Sequence, residues 1–390
     1  MAHTKMVSHF KVGNRRQLPP LLFLTNSEAL ASQIGVDGRD IAMQAVYDAA
    51  TAVVDTRSRN MLEIADEVSV RLRQRPACKG VVIVGGHDVI PHGVTDVVIG
   101  TPYEEYIDKP LMETDVFVVW NDDVYGYRGT GEAVGEVVLP DVAVSRIPDA
   151  RSDALLLTAL EACGSDHKQE FAGIRRSVTS EYAAKVHQAT FGTWTDWLIG
   201  WFRPSPVVTS EPVSSELPAN VEAGALYLAL HGEKCDAALY GETKKTLHRV
   251  EAITPACLPK VGVPNVTFAA ACWSGLVVNT TADMAFDDAA IQQKTVDESI
   301  ALTLLSRGAR AVIGCTSVHH SPPLGMTTLA AAPFHIAFWK SYRAGIPPAE
   351  ALLEAKRTYA ANLPYRRDDK FEQALELKTI AEFCCLGLGW

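Results

Sequence analysis

Short apolar runs recur along the chain, and the stretches between them repeat with a helical period. Residues 21–25, 80–86, 115–120, 141–144, 177–180, 225–230, 266–271 and 309–314 each read as a β-strand. Val296, Ile300 and Leu304 fall at i, i+4 and i+8, and Gly308 marks a C-terminal stop. Pro347 and Pro348 open a second helical pattern that carries Leu352, Leu353, Lys356 and Tyr359. Residues 154–163 predict a further helix. Trp194, Trp197 and Trp201 fall at i, i+3 and i+7, a stripe that suits a core face or a binding surface. Continuous apolar strands alternating with helices predict an α/β fold with a parallel sheet covered on both faces.

A seam falls near residues 150–172, where the predicted helix gives way to a polar stretch at 164–170. Turn-rich segments follow at 203–206 and 211–218. This divides the 390 residues into two sheet-bearing halves, 1–165 and 166–390. No apolar run approaches the roughly 20 residues that span a bilayer. The first residues lack an apolar signal region, so the chain reads as soluble and cytoplasmic, with no membrane partner. The net charge of −10 disfavours a nucleic-acid partner and is compatible with basic protein or peptide substrates. The eight cysteines form no CxxC pair and no zinc spacing. They read as reduced thiols, with no metal and no cofactor expected.

Two of the apolar runs end on reactive side chains. Residues 225–230 lead into His231-Gly232, and residues 266–271 lead into Cys272. Neighbouring parallel strands ending this way would present an imidazole and a thiol side by side at one sheet edge. That pairing suits a cysteine nucleophile with a histidine as its acid and base. Gly232 would let a substrate approach closely, and the N–H groups of Gly232 and Cys272 are candidate donors to an oxyanion.

With these residues the chain resembles the caspase-like clan of cysteine peptidases, and most closely the gingipain family. That family shows a strand ending His-Gly followed by a strand ending Ala-Cys. Residues 82–91 (Val-Ile-Val-Gly-Gly-His-Asp-Val-Ile-Pro) resemble its strand, Gly-Asp and Ile-Pro segment. Thr114-Asp115 and residues 121–126 (Asn-Asp-Asp-Val-Tyr-Gly) resemble its Asp-Tyr-Gly region. Residues 140–148 are similar to its Pro-Asp-Ile-Ala-Val-Gly-Arg-Phe-Pro segment, with Ser145 where glycine is usual. Residues 308–316 resemble its last core strand, and Glu350-Ala351 with Ala355-Lys356 its C-terminal helix. The match spans roughly residues 80–360.

The resemblance implies a caspase-like fold in which a non-catalytic half precedes a catalytic half. It implies a cysteine endopeptidase with His231 and Cys272 as its dyad, and Glu181 as the acid supporting His231. It also implies cleavage after arginine or lysine, with Asp236 or Asp196 as the carboxylate that would receive the basic side chain. Ser317 and His319 lie in the loop expected to wall the substrate pocket, which lacks the tryptophan usual in relatives. The secretion signal and pro-segment of secreted gingipains have no counterpart, so an intracellular enzyme held latent until a partner or cleavage activates it is the expectation. The stretches 280–288 and 292–297 read as a surface connection or as a loop that shapes the pocket. An Asp-specific protease using Lys234, or a non-catalytic interaction module, are the alternatives. Amidases and glutaminases with a Cys-His pair usually place the cysteine first, against the order here.

Overall fold

The apolar runs assemble into one large sheet. The computed structural model describes residues 18–97, 117–131, 133–134, 137–162, 171–175, 183, 185–186, 189–190, 207–209, 224–242, 249–258, 264–286, 291–320, 331–363 and 370–390. The sheet strands are β1 (Leu21–Thr25), β2 (Ala52–Asp55), β3 (Gly80–Val84), β4 (Ala143–Ile147), β5 (Phe171–Arg175), β6 (Val207–Thr209), β7 (Ala225–Ala229), β8 (Val266–Ala269), β9 (Ala311–Cys315) and β10 (Phe383–Gly387). Their spatial order is β6-β5-β7-β8-β9-β10-β4-β3-β1-β2. Every pairing within β1–β4 and within β5–β9 is parallel. The last strand, β10, joins the two groups: it runs antiparallel to β9 and meets β4 at Leu386 opposite Arg146.

Helices cover both faces, as the buried strand pattern requires. They are α1 (Ser27–Ala49), α2 (Met61–Arg73), α3 (Asp153–Glu161), α4 (Ile300–Ser306), α5 (Ala332–Arg343), α6 (Pro348–Ala361) and α7 (Lys370–Glu382). Side-chain oxygens of Asn26, Asn60, Ser152 and Ser299 accept from the first-turn N–H groups of α1 to α4. Along β7 the side chains alternate. Leu226 and Leu228 pack with Leu302 and Leu305 of α4 on one face. Tyr227 packs with Phe268 of β8 and with Phe334, Phe338 and Trp339 of α5 on the other. Each such fully buried side chain contributes about 1.5–3 kcal/mol of transfer free energy.

Two expectations need adjusting. The run at 115–120 does not enter the large sheet: Val118–Asn121 pairs antiparallel with Gly93–Asp96 as a separate ribbon. Its apolar residues Val118 and Trp120 are buried against Leu276, Val278 and Ala282, which explains a strand-like composition outside the sheet. The predicted helix at 296–304 begins with a short 3₁₀ turn at Val296–Glu298, and α4 follows it. The runs at 177–180, 164–170, 203–206 and 211–218, with Trp194, Trp197 and Trp201, lie outside the described residues.

Thr316, one residue past β9, donates its hydroxyl to the Trp120 carbonyl (2.6 Å). The Trp120 ring lies 5.3 Å from the ring of His87, which follows β3. The carboxyl ends of β3 and β9 therefore open on the same edge of the sheet. Because β10 is antiparallel to β9, its first residue, Phe383, also lies at this edge, opposite Cys315.

Candidate active site at the carboxyl edge of the sheet

The register of β7 against β8 decides what meets at this edge. Ala225 pairs with Val266 and Leu228 with Ala269, an offset of 41 residues (266 − 225). His231 and Cys272 are separated by the same 41 residues (272 − 231). The Ala270 N–H still donates to the Leu228 carbonyl (2.7 Å), carrying the ladder past the last strand residue. The chains then part. His231-Gly232 pairs with Leu239 and Tyr240 to open an antiparallel hairpin, and Cys272 enters a tight turn.

Gly232 packs directly on the backbone of Cys272. A Cβ added at Gly232 would stand 1.8 Å from the Cys272 carbonyl oxygen and 3.3 Å from its nitrogen. No side chain fits there, so glycine is required by contact as well as by chemistry. His231 and Cys272 are both half-buried. The turn after Cys272 is constrained: Trp273 has φ 53°, in the left-handed region that costs a non-glycine residue about 1–2 kcal/mol. The turn is held in that shape by bonds to the end of β9. Trp273 N–H donates to the Ser317 carbonyl (2.9 Å) and Gly275 N–H to the Cys315 carbonyl (2.7 Å). The Cys315 thiol donates to the Ala271 carbonyl (2.9 Å). Burial, with the charge of Glu382, pushes that thiol well above its ordinary range and keeps it a proton donor.

The Cys272 sulfur meets the loop after β9. The His319 N–H donates to Sγ at 3.3 Å, and the His319 carbonyl lies 3.6 Å from the same atom. The His319 side chain turns inward, with 1% exposure, and its Nδ1 lies 2.7 Å from Oε1 of Glu382. Ser317 is buried too, its hydroxyl donating to Oε2 of Glu382 (2.9 Å). His319 thus presents its backbone to the thiol and Ser317 its carbonyl to the turn after Cys272, while both side chains turn to the buried Glu382. Asp236 is exposed in the loop after Gly232. The Ala238 N–H and the Tyr240 hydroxyl donate to its carboxylate and hold it below the usual carboxylate range. Glu181 and Asp196 lie outside the described residues. Lys234 donates to the Met284 sulfur (3.3 Å), and its carbonyl accepts from the Lys294 ammonium (3.0 Å).

Glu382 was not among the residues singled out from the sequence. Its signal was a lone carboxylate inside the apolar stretch 380–388, where an ionisable group calls for partners.

The segments that carried the family resemblance converge in the other half of the sheet. Arg146 of β4 is fully buried and binds both Asp122 oxygens (2.8 and 2.6 Å) and the Gly85 and Ile90 carbonyls. Burial opposes ionisation of Asp122, but Arg146 and His92 outweigh it and hold the carboxyl far below its usual range. The Tyr125 hydroxyl donates to the Pro91 carbonyl (2.5 Å), and Lys356 of α6 donates to Asp123 (2.6 Å). These residues form a buried polar scaffold that ties the segments at 85–91, 121–126, 140–148 and 356 together.

No family model matches this sequence, and no curated protein matches it. Solved structures do. The crystal structure of the Arg-specific cysteine proteinase gingipain R (RgpB) superposes with a TM-score of 0.54 at 12% identity, covering 95% of this chain and 77% of that one. The complex of Porphyromonas gingivalis RgpB pro- and mature domains gives 0.55 at 11% identity, covering 94% and 78%. The chain therefore has the fold of gingipain R: a large, mostly parallel sheet flanked by helices. Among the described residues no helix is long and apolar enough to cross a membrane.

Proposed function

We propose that the protein is a cysteine endopeptidase in which Cys272 is the nucleophile and His231 its acid and base. One observation carries this reading. Gly232 lies in contact with the Cys272 backbone, at the edge where two paired strands deliver His231 and Cys272 at the same register. The His319 N–H on the sulfur favours the thiolate, the reactive form. The likeness to gingipain R supports the reading at the level of fold.

In this mechanism the thiolate attacks the scissile carbonyl carbon. The negative charge that develops on oxygen is met by the N–H groups of Gly232 and Cys272, and losing one such donor typically costs about 3 kcal/mol of barrier. His231 gives its proton to the leaving amine as the C–N bond breaks, leaving a thioester. It then takes a proton from the water that attacks this thioester, the C–S bond breaks, and the thiol is restored. Glu181 orients His231 and favours its charged form. Residues 1–165 form the non-catalytic half and residues 166–390 the catalytic one.

Substrates carry arginine or lysine before the cleaved bond. The charged Asp236 carboxylate, close behind Gly232, supports this choice. The RgpB pro–mature complex supports a latent state released by a partner or by processing.

Labelling with peptidyl acyloxymethyl ketones tests the assignment. Probes with arginine or lysine at the first position should label the wild type at Cys272 and should not label Cys272→Ala, with His231→Ala labelled far more slowly. Labelling by an aspartyl probe alone would reverse the specificity. Labelling of Cys272→Ala equal to wild type would remove Cys272 from the mechanism.

A further inference from the structure

We infer that Glu382 is a positioning residue for the Cys272 thiol, acting through the loop 316–319. The inference rests on the reading of Cys272 as the nucleophile. Topology delivers this carboxylate. Because β10 runs antiparallel to β9, it starts at the edge where β7, β8 and β9 end, and Glu382 is the residue just before it.

From there Glu382 holds the loop by backbone and side chain. Its carbonyl accepts from the Thr316 N–H (2.9 Å). Its two carboxylate oxygens accept from the Ser317 hydroxyl (2.9 Å) and the His319 imidazole (2.7 Å). Glu382 and the His319 ring are both 1% exposed, so these bonds form away from water, where a carboxylate needs its partners most.

The opposite side of the same loop touches the nucleophile. The Ser317 carbonyl accepts from Trp273 N–H (2.9 Å), holding the left-handed turn after Cys272. The His319 N–H reaches Sγ. Every link from carboxylate to sulfur is a hydrogen bond of ordinary length. The His319 Nε2 atom is buried without a hydrogen-bond partner among the described residues. Through Nδ1 the ring anchors the loop to Glu382. A buried negative charge this close would by itself disfavour the thiolate. The His319 N–H acts the other way on the same sulfur, so the hydrogen bonds of Glu382 and its charge are opposed contributions at Cys272.

The experiment separates these two contributions. The full-length protein is alkylated with iodoacetamide at neutral pH, and the rate at Cys272 is read by peptide mass spectrometry. The exposed Cys235 serves as the internal control. Glu382→Leu removes both side-chain hydrogen bonds and should slow Cys272 alkylation about tenfold, with Cys235 unchanged. Glu382→Gln keeps an acceptor for the His319 imidazole and reverses the other bond, its amide donating to the Ser317 hydroxyl, and should recover most of that loss. In the peptidase assay the same variants should lower kcat with KM unchanged.

A folded Glu382→Leu protein alkylated at the wild-type rate would overturn the inference, as would equal losses in Leu and Gln variants. If Glu382→Leu does not fold, Ser317→Ala carries the test: a fall of about threefold supports the role, and no change overturns it. Alkylation reads the thiol directly. A wild type that cleaves no peptide even after limited proteolysis would therefore refute the peptidase reading and leave the positioning of the thiol to be decided by these rates.

Discussion

At the scale of single residues the site depends on one contact, that of Gly232 with the backbone of Cys272. A methyl group there meets a carbonyl oxygen, and a backbone atom cannot rotate away as a side chain would. Gly232→Ala is expected to push the two segments apart and displace an oxyanion donor, lowering kcat/KM by about 100-fold or more. Steady-state kinetics beside a thermal melt would show this, since a variant with near-native stability and near-native activity would mean that the contact is not needed. The meeting of the segments that carry His231 and Cys272 was legible because each residue interrupts an apolar run at its end. Glu382 was harder to read. Its meaning depends on β10 running antiparallel to β9, which no local pattern in the sequence encodes. The inward turn of the His319 ring was hidden for the same reason, because the partner that draws it in is 63 residues away.

At the scale of elements, the segment at 292–297 is anchored both to the turn after Cys272 and to the chain at 149–150. Gln293 is buried and bridges to Val278. Its side chain accepts from the Ala150 N–H (3.0 Å) and donates to Asp149 (3.0 Å). Asp149 also accepts from the Gly86 N–H (2.7 Å). A Cβ at Gly86 would stand 1.6 Å from the Gln293 amide. Gly86→Ala should expel that side chain and cost about 2–3 kcal/mol through the polar groups left unpaired, measurable by urea denaturation. Lys294, beside Gln293, is pushed down to about 8 by burial. Its folded-state value is below the unfolded one of about 10.4, so the folded protein carries a penalty below pH 8 that is relieved as pH rises toward 10. Wild type should accordingly gain about 2 kcal/mol relative to Lys294→Met between pH 7 and pH 10. A pH-independent difference would show that this ammonium is not desolvated. Strands and helices here were legible in outline from the apolar pattern. It left open whether residues 292–297 were a surface connection, because a buried glutamine is recognisable only once its partners from residues 149 and 150 are in place.

At the scale of the whole molecule, His231 and Cys272 stand at one part of the sheet edge, and a buried ionic scaffold lies in the other. The strands before residue 165 and those from 171 to 315 were mostly visible as apolar runs. The joining of both groups into one sheet through β10 was not, because Phe383–Gly387 carries no feature that specifies its neighbours. The Asp122–Arg146 pair is the centre of that scaffold. Removing one partner of a buried pair strands the other, so Asp122→Asn should destabilise by about 3–5 kcal/mol at neutral pH. The folded-state value of Asp122 is depressed, so its contribution is present above the unfolded value of about 4 and is lost as pH falls below it. Guanidinium melts at pH 7 and pH 3 should therefore show the gap between wild type and Asp122→Asn narrowing in acid, and an unchanged gap would assign the stability elsewhere. Hydrolysis of a fluorogenic peptide library by wild type and by Cys272→Ala tests the peptidase itself. Cleavage after arginine or lysine that vanishes in the variant is the expected result. Cleavage that persists in Cys272→Ala would contradict the assignment of Cys272.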